Sequence, residues 1–142
     1  MKKQFGIGLA TLVAAGLLSA GSAVAQELAN DEASLNLLME EGATVYGNYC
    51  AACHGAEGQG GGGPALVGSS VVQSRSAVIY QILFGAMDHG MPAFDSSLSD
   101  QQIAAVSTYI RNSWENDYGI ILPRSVEMRR SVPPADPAED AE

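Results

Sequence analysis

The chain has 142 residues, 46% of them hydrophobic and 16% charged, with a formal net charge of −9. That length makes one domain the natural expectation. A surface of that sign repels nucleic acid and anionic lipid, which excludes both as expected partners and favours a protein with a basic docking face.

The N-terminus opens with Lys2 and Lys3, runs through an apolar stretch from Phe5 to about Ala20 and reaches Ala23-Val24-Ala25. This is the pattern of a cleaved secretory signal over residues 1–25, which places the mature protein in the periplasm. A retained anchor is the alternative, but the stretch is padded with Gly, Ala, Ser and Thr and falls short of the roughly 20 apolar residues of a spanning helix. No stable membrane insertion is therefore expected. Removal of the signal takes both lysines and leaves five arginines against 16 acids.

After a linker at 26–34, Leu35, Leu38, Gly42, Val45 and Tyr49 recur at three- and four-residue steps, the mark of one helix face. That helix runs into Cys50. In "CAACH" the only two cysteines, Cys50 and Cys53, stand at i and i+3. On a helical turn such side chains share a face, about 5–6 Å apart at Cβ. This suits two thioether bonds to the vinyl groups of one haem, with His54 in reach of the iron. Cys-x-x-Cys-His is the attachment signature of c-type haem.

Three other readings compete. A thioredoxin-like pair would need a strand before the first cysteine and a helix running on after the second, whereas a helix precedes and glycines follow. A zinc site would have to be assembled from Cys50, Cys53, His54 and the distant His89. A structural disulfide gives no reason for the adjacent histidine. The glycines at 58 and 60–63 would let bare backbone pass close to a flat macrocycle. A phosphate-cradling loop lacks its Gly-Lys-Ser/Thr ending, and a plain connective loop is the remaining alternative.

A second helix is predicted around Ser76 to Phe84, with Val78, Ile79, Ile82 and Leu83 for burial, Ser74 or Ser76 as its cap and Gly85 at its end. Residues 85–98 are irregular because two glycines and a proline interrupt them. They hold three candidates for the second axial position on an iron: Met87, His89 and Met91. Met91 is favoured, since Pro92 fixes the backbone beside it and Gly90 removes a steric obstacle; His89 is the competing donor. With both axial positions filled, the protein carries electrons and has no site for substrate. Ser99 and Gln102 have the spacing of a capping box, opening a helix with Ile103, Val106 and Ile110 on one side and Tyr109 beside them. The domain would span 35–116. A C-terminal extension at 117–130 has room for a short helix opened by Pro123, and 131–142 is an acidic, proline-rich tail expected to be disordered. No internal repeat and no sustained strand alternation appear, so the expected fold is all-α.

Residues 37 to 114 resemble a class I c-type cytochrome. Gly42, Tyr46 and Cys50 match the spacing of that family's opening helix, and Tyr109 looks like the aromatic of the closing helix that crosses at the glycine. The resemblance implies three to four main helices around one covalently bound haem c. Gly63-Pro64-Ala65-Leu66 is similar to the element that follows the haem motif, which implies that the Pro64 carbonyl accepts a hydrogen bond from the His54 ring. Met91 to Phe94, "MPAF", is similar to the stretch that supplies the axial methionine. The stretch from Tyr109 to Arg130 resembles the end of cytochrome subunits that serve periplasmic dehydrogenases, with Glu115 in place of their glycine.

Three functions follow as expectations. One is a soluble electron shuttle between donor and acceptor proteins. Another is the cytochrome subunit of a periplasmic dehydrogenase, with 115–130 as its interaction arm. The third is a haem enzyme or gas sensor with a labile sixth ligand. Tyr80 and Phe84 are candidates to pack on the porphyrin, and Arg75 or Arg111 to neutralise a propionate.

Overall fold

Asp31 decides where the first helix begins. Its carboxylate accepts a hydrogen bond from the Ser34 backbone N–H at 2.8 Å, which satisfies one of the donors every helix start leaves open. Helix α1 therefore runs Glu32–Tyr49, starting three residues inside the stretch read as a linker. The computed structural model describes residues 28–132; the signal at 1–25 and the tail from 133 onward lie outside the described residues.

Of the predicted stripe on α1, Leu38, Gly42 and Val45 are buried, together with Tyr46, while Tyr49 is 47% exposed at the end of the helix. Cys50 then makes a slight break before the single turn α2 (Ala51–His54). Two short helices follow the glycine segment: α3 (Ser70–Gln73) and α4 (Arg75–Phe84). Of the two serines able to cap α4 it is Ser74 that does so, accepting from the Ala77 N–H.

Helix α5 (Asp100–Asn112) is capped as its spacing predicts. The Ser99 hydroxyl accepts from the Gln102 N–H at 3.2 Å, and the Gln102 side chain accepts from the Ser99 N–H at 3.0 Å. Ile103, Ala104, Ala105 and Val106 are fully buried. Among the described residues the most extensive helix–helix contact is between α1 and α5. They cross at Gly42, where an added Cβ would strike the Ala105 carbonyl oxygen and stand 2.6 Å from the Tyr109 Cβ. The two backbones touch because one of them carries no side chain there.

The chain does not stop packing at Trp114. Ile120, Ile121 and Leu122 belong to the same core, and Thr108 on α5 clasps Ile121, its hydroxyl donating to the carbonyl and accepting from the N–H. Helix α6 (Pro123–Arg130) follows, with Val126 fully buried, and packs on α5 and α4. The segment expected as an extension, and offered as an interaction arm, thus packs against the core. The architecture is all-α, as expected. Among the described residues the one extended pairing is an isolated antiparallel bridge between Ala86 and Met91.

Candidate haem site

A cavity of about 460 Å³ opens between the end of α1, α2, the segment after it, α4 and the loop beyond α4. Val72, Val78, Ile82 and Ile110 make its lining mostly apolar. All five residues singled out in the sequence, Cys50, Cys53, His54, Pro64 and Met91, line this one space.

The histidine is oriented by its neighbour. His54 Nδ1 lies 2.8 Å from the Pro64 carbonyl oxygen. A carbonyl can only accept, so Nδ1 carries the proton and Nε2 keeps its lone pair for a metal. Gly63 leaves the imidazole room, since a Cβ there would stand 3.0 Å from its Cε1. The glycine run serves more than one purpose: Gly62 and Gly63 line the cavity, whereas Gly58 and Gly60 supply left-handed turns with φ of 65° and 93°. Gly58 is pressed under the Trp114 ring, so only part of the run faces the space a macrocycle would fill.

Cys50 and Cys53 are not joined in a disulfide. Burial first, and then the neighbouring Cys53, push the Cys50 thiol up to about 11, so it stays protonated at neutral pH. Among the described residues no group of three or more His, Cys, Asp and Glu is arranged to hold a bare ion, so the zinc reading has no ligand set.

Met91 is held at the neck of a small loop. Ala86 and Met91 exchange backbone hydrogen bonds of 2.9 and 3.1 Å, closing a tip that contains a 3-10 turn at Met87–His89 and the left-handed Gly90. The Gln81 side-chain amide donates to Met91 Sδ at 3.6 Å. His89 also lines the cavity but sits on the exposed tip, and Met87 is 72% exposed and does not line it.

Sequence reasoning missed Gln81, Tyr49 and the wall formed by α3. Gln81 had a readable signal: it is a polar residue on the stripe Val78, Gln81, Ile82, which faces the cavity. Tyr49 and Phe94 meet edge-on, ring centroids 6.1 Å apart, and both line the cavity. The expectation for Tyr80 and Phe84 is corrected. They stack on each other at 6.0 Å away from the cavity, and the Tyr80 hydroxyl donates to the Val132 carbonyl. Nor does Arg75 or Arg111 line the cavity; Arg111 is turned into the core.

Tyr46 buttresses the attachment turn from behind. Its hydroxyl donates to the Gly55 carbonyl at 2.6 Å, and its ring packs against Tyr109 and Trp114. Burial, with smaller contributions from Cys50 and Tyr109, raises the phenol to about 12 from its ordinary 10. The folded state therefore prefers the protonated phenol. The stability this contributes is complete below pH 10 and is lost as pH rises through about 12. Thermal melts of the haem-loaded protein are expected to show this alkaline loss, and Tyr46→Phe to flatten it while costing about 1 kcal/mol at neutral pH for the lost hydrogen bond.

The donor set fits one haem: two thiols on one turn, an imidazole with Nε2 free and a thioether, all on one apolar cavity. Residues 38–110 match the family described as cytochrome C oxidase, cbb3-type, subunit III. The chain is 33% identical over 120 residues to cytochrome c6 of Thermosynechococcus vestitus, a match covering 78% of this chain and 91% of that protein. It is 36% identical over 104 residues to the cytochrome c subunit of the quinone alcohol dehydrogenase of Gluconacetobacter polyoxogenes, covering 62% of this chain and 22% of that one. A further match, 34% over 91 residues, is to the gluconate 2-dehydrogenase cytochrome c subunit of Pantoea cypripedii, covering 54% of this chain and 21% of that subunit. Cavity, donor set and relatives agree: this chain belongs to the class I c-type cytochromes, proteins that transfer electrons through covalently bound haem c.

Proposed function

We propose that this chain is an exported single-electron carrier whose haem is attached through Cys50 and Cys53 and held axially by His54 and Met91. The observation that carries the reading is the convergence of those four side chains on one cavity, with the His54 tautomer set by Pro64. When bound, the haem supplies an iron that takes up and releases one electron. The protein's part is positional. Pro64 orients the imidazole, the bridge between Ala86 and Met91 holds the thioether, and the apolar lining keeps water from the metal. With His54 and Met91 both bound to the iron, no coordination site would be left for substrate, and the thioether would favour the ferrous state.

Export to the periplasm is supported by the N-terminal pattern at 1–25, and among the described residues no helix is long and apolar enough to cross a membrane. A diffusing shuttle is favoured over a dehydrogenase subunit because the match to cytochrome c6 spans 91% of that protein, whereas the dehydrogenase subunits are covered to about a fifth of their length. The acidic chain suits brief, salt-sensitive encounters with a donor or acceptor that has a basic docking face. Elution of the protein alone supports the shuttle; elution with a dehydrogenase supports the subunit.

The ligand assignment is tested by the ferric absorption spectrum. Met91→Ala is expected to convert it from low-spin to a high-spin or hydroxide-ligated form, while His89→Ala leaves it low-spin. The opposite pair of results would transfer the sixth position to His89.

A further inference from the structure

Among the described residues Arg111 is the one charged side chain sealed in the core, 3% exposed. Its guanidinium donates hydrogen bonds to carbonyl oxygens alone and stands over the Tyr118 ring, 5.8 Å from the centroid. Nε donates to Gly119 at 3.1 Å, one terminal nitrogen donates to Val72 at 2.6 Å and Gln73 at 2.7 Å, and the other donates to Tyr118. No carboxylate joins them: the one salt bridge among the described residues is between Arg130 and Asp100. A second cation, Arg75, lies at the same corner, a guanidinium nitrogen 3.8 Å from where a Cβ on Gly119 would stand; burial first, and then Arg75, lower the Arg111 pKa.

Carbonyl dipoles lower the cost of burying the guanidinium, but dipoles sum to no net charge. Beyond that first ring of oxygens a full positive charge remains, in a medium that screens it less than water would. Its position matters because Val72, whose carbonyl it holds, and Ile110, the residue before it, both line the cavity. The charge stands directly behind the cavity wall.

We propose that Arg111 raises the reduction potential of the haem, by placing a fixed, buried positive charge behind the wall formed by Val72 and Ile110. Ferric iron carries one more positive charge than ferrous, so a nearby cation disfavours oxidation. The many surface acids act in the opposite sense but are screened by salt, whereas a buried charge is screened far less. Arg111 thus offsets, from inside, part of the effect of an acidic exterior. The proposal rests on the haem reading above. A haemochrome spectrum of the wild-type protein tests that reading separately, so the two can fail independently.

The test is the midpoint potential of haem-loaded variants. Arg111→Gln removes the charge and is expected to lower the ferrous-to-ferric ratio at the wild-type midpoint about tenfold, equivalent to about 59 mV for one electron. Arg111→Lys keeps the charge while losing the planar fork. It should lose thermal stability yet hold the ratio within about twofold, well inside that tenfold change. Arg75→Gln, an exposed change at the same corner, should give a smaller fall that shrinks with added salt; Arg124→Gln, exposed on α6, should give none. An unchanged potential in folded Arg111→Gln overturns the proposal, as does an equal fall in the Gln and Lys variants, which would make the residue purely positional. Should Arg111→Gln not fold, a fall in Arg111→Lys as large as that expected for the Gln variant, or no difference between Arg75→Gln and Arg124→Gln at low salt, overturns it.

Discussion

Gly42→Ala is expected to unfold or severely destabilise the protein, although it adds a single methyl group. The new Cβ would meet the Ala105 carbonyl oxygen and would lie 2.6 Å from the Tyr109 Cβ and 2.7 Å from the Ala105 carbonyl carbon. None of these is the free end of a flexible side chain, so relief requires α1 and α5 to move apart. That would open the α1–α5 pair, with Leu38, Val45 and Tyr46 on one side and Ile103 and Val106 on the other. Overpacking a tight core costs about 1–3 kcal/mol where side chains can adjust. A backbone collision belongs at or above the upper end, enough to lower the melting temperature by about 12 °C or more. Gly47→Ala, on the same helix, is the control. Its Cβ would meet nothing within 4 Å, so it should stabilise by about 0.5–1 kcal/mol through helix propensity. Thermal melts followed by circular dichroism compare the two directly. Equal behaviour would show that the crossing does not depend on a bare backbone.

The second large effect is chemical. Cys50→Ala with Cys53→Ala should yield a protein whose haem, if retained at all, is extracted by acidified organic solvent, and whose intact mass equals that of its polypeptide. The wild-type protein should carry the mass of one haem that extraction does not remove. Each single variant should keep one thioether and a shifted pyridine haemochrome band. The two side chains differ in setting, Cys50 partly buried and Cys53 exposed, yet both line the same cavity. A wild-type protein without bound haem mass would remove the basis of the functional reading. His54 alone cannot replace the tether, because its hydrogen bond to Pro64 orients the ring without joining cofactor to chain.

How much of this was legible in the residues depends on the range of the physics involved. The attachment turn was readable because Cys50, Cys53 and His54 are adjacent in the chain, and helical geometry alone puts i and i+3 on one face. The α5 start was readable for the same reason, its capping box lying within four residues. The crossing at Gly42 was foreshadowed by the family resemblance, and its physical reason is that glycine at that step of an apolar stripe admits another backbone.

Faces and fates set by distant partners were not legible. Tyr80 and Phe84 looked suited to a porphyrin, but the stripe of α4 that meets the cavity is Val78, Gln81 and Ile82, and the two rings stack on the side that receives Val132. Arg111 was read as a partner for a propionate, but the carbonyls of Val72, Gln73, Tyr118 and Gly119 are brought around it from two distant parts of the chain. The segment after Trp114 was read as an extension with a short helix, and its place in the core is set by the hydrogen bonds that Thr108 and Ile121 exchange. The sequence by itself determined the cofactor chemistry and the helical periodicity, because both depend on neighbours within a turn. Only the tertiary structure decided which helix faces the cavity, where the buried charge sits and that the C-terminal segment closes the core, because those depend on contacts made across tens of residues.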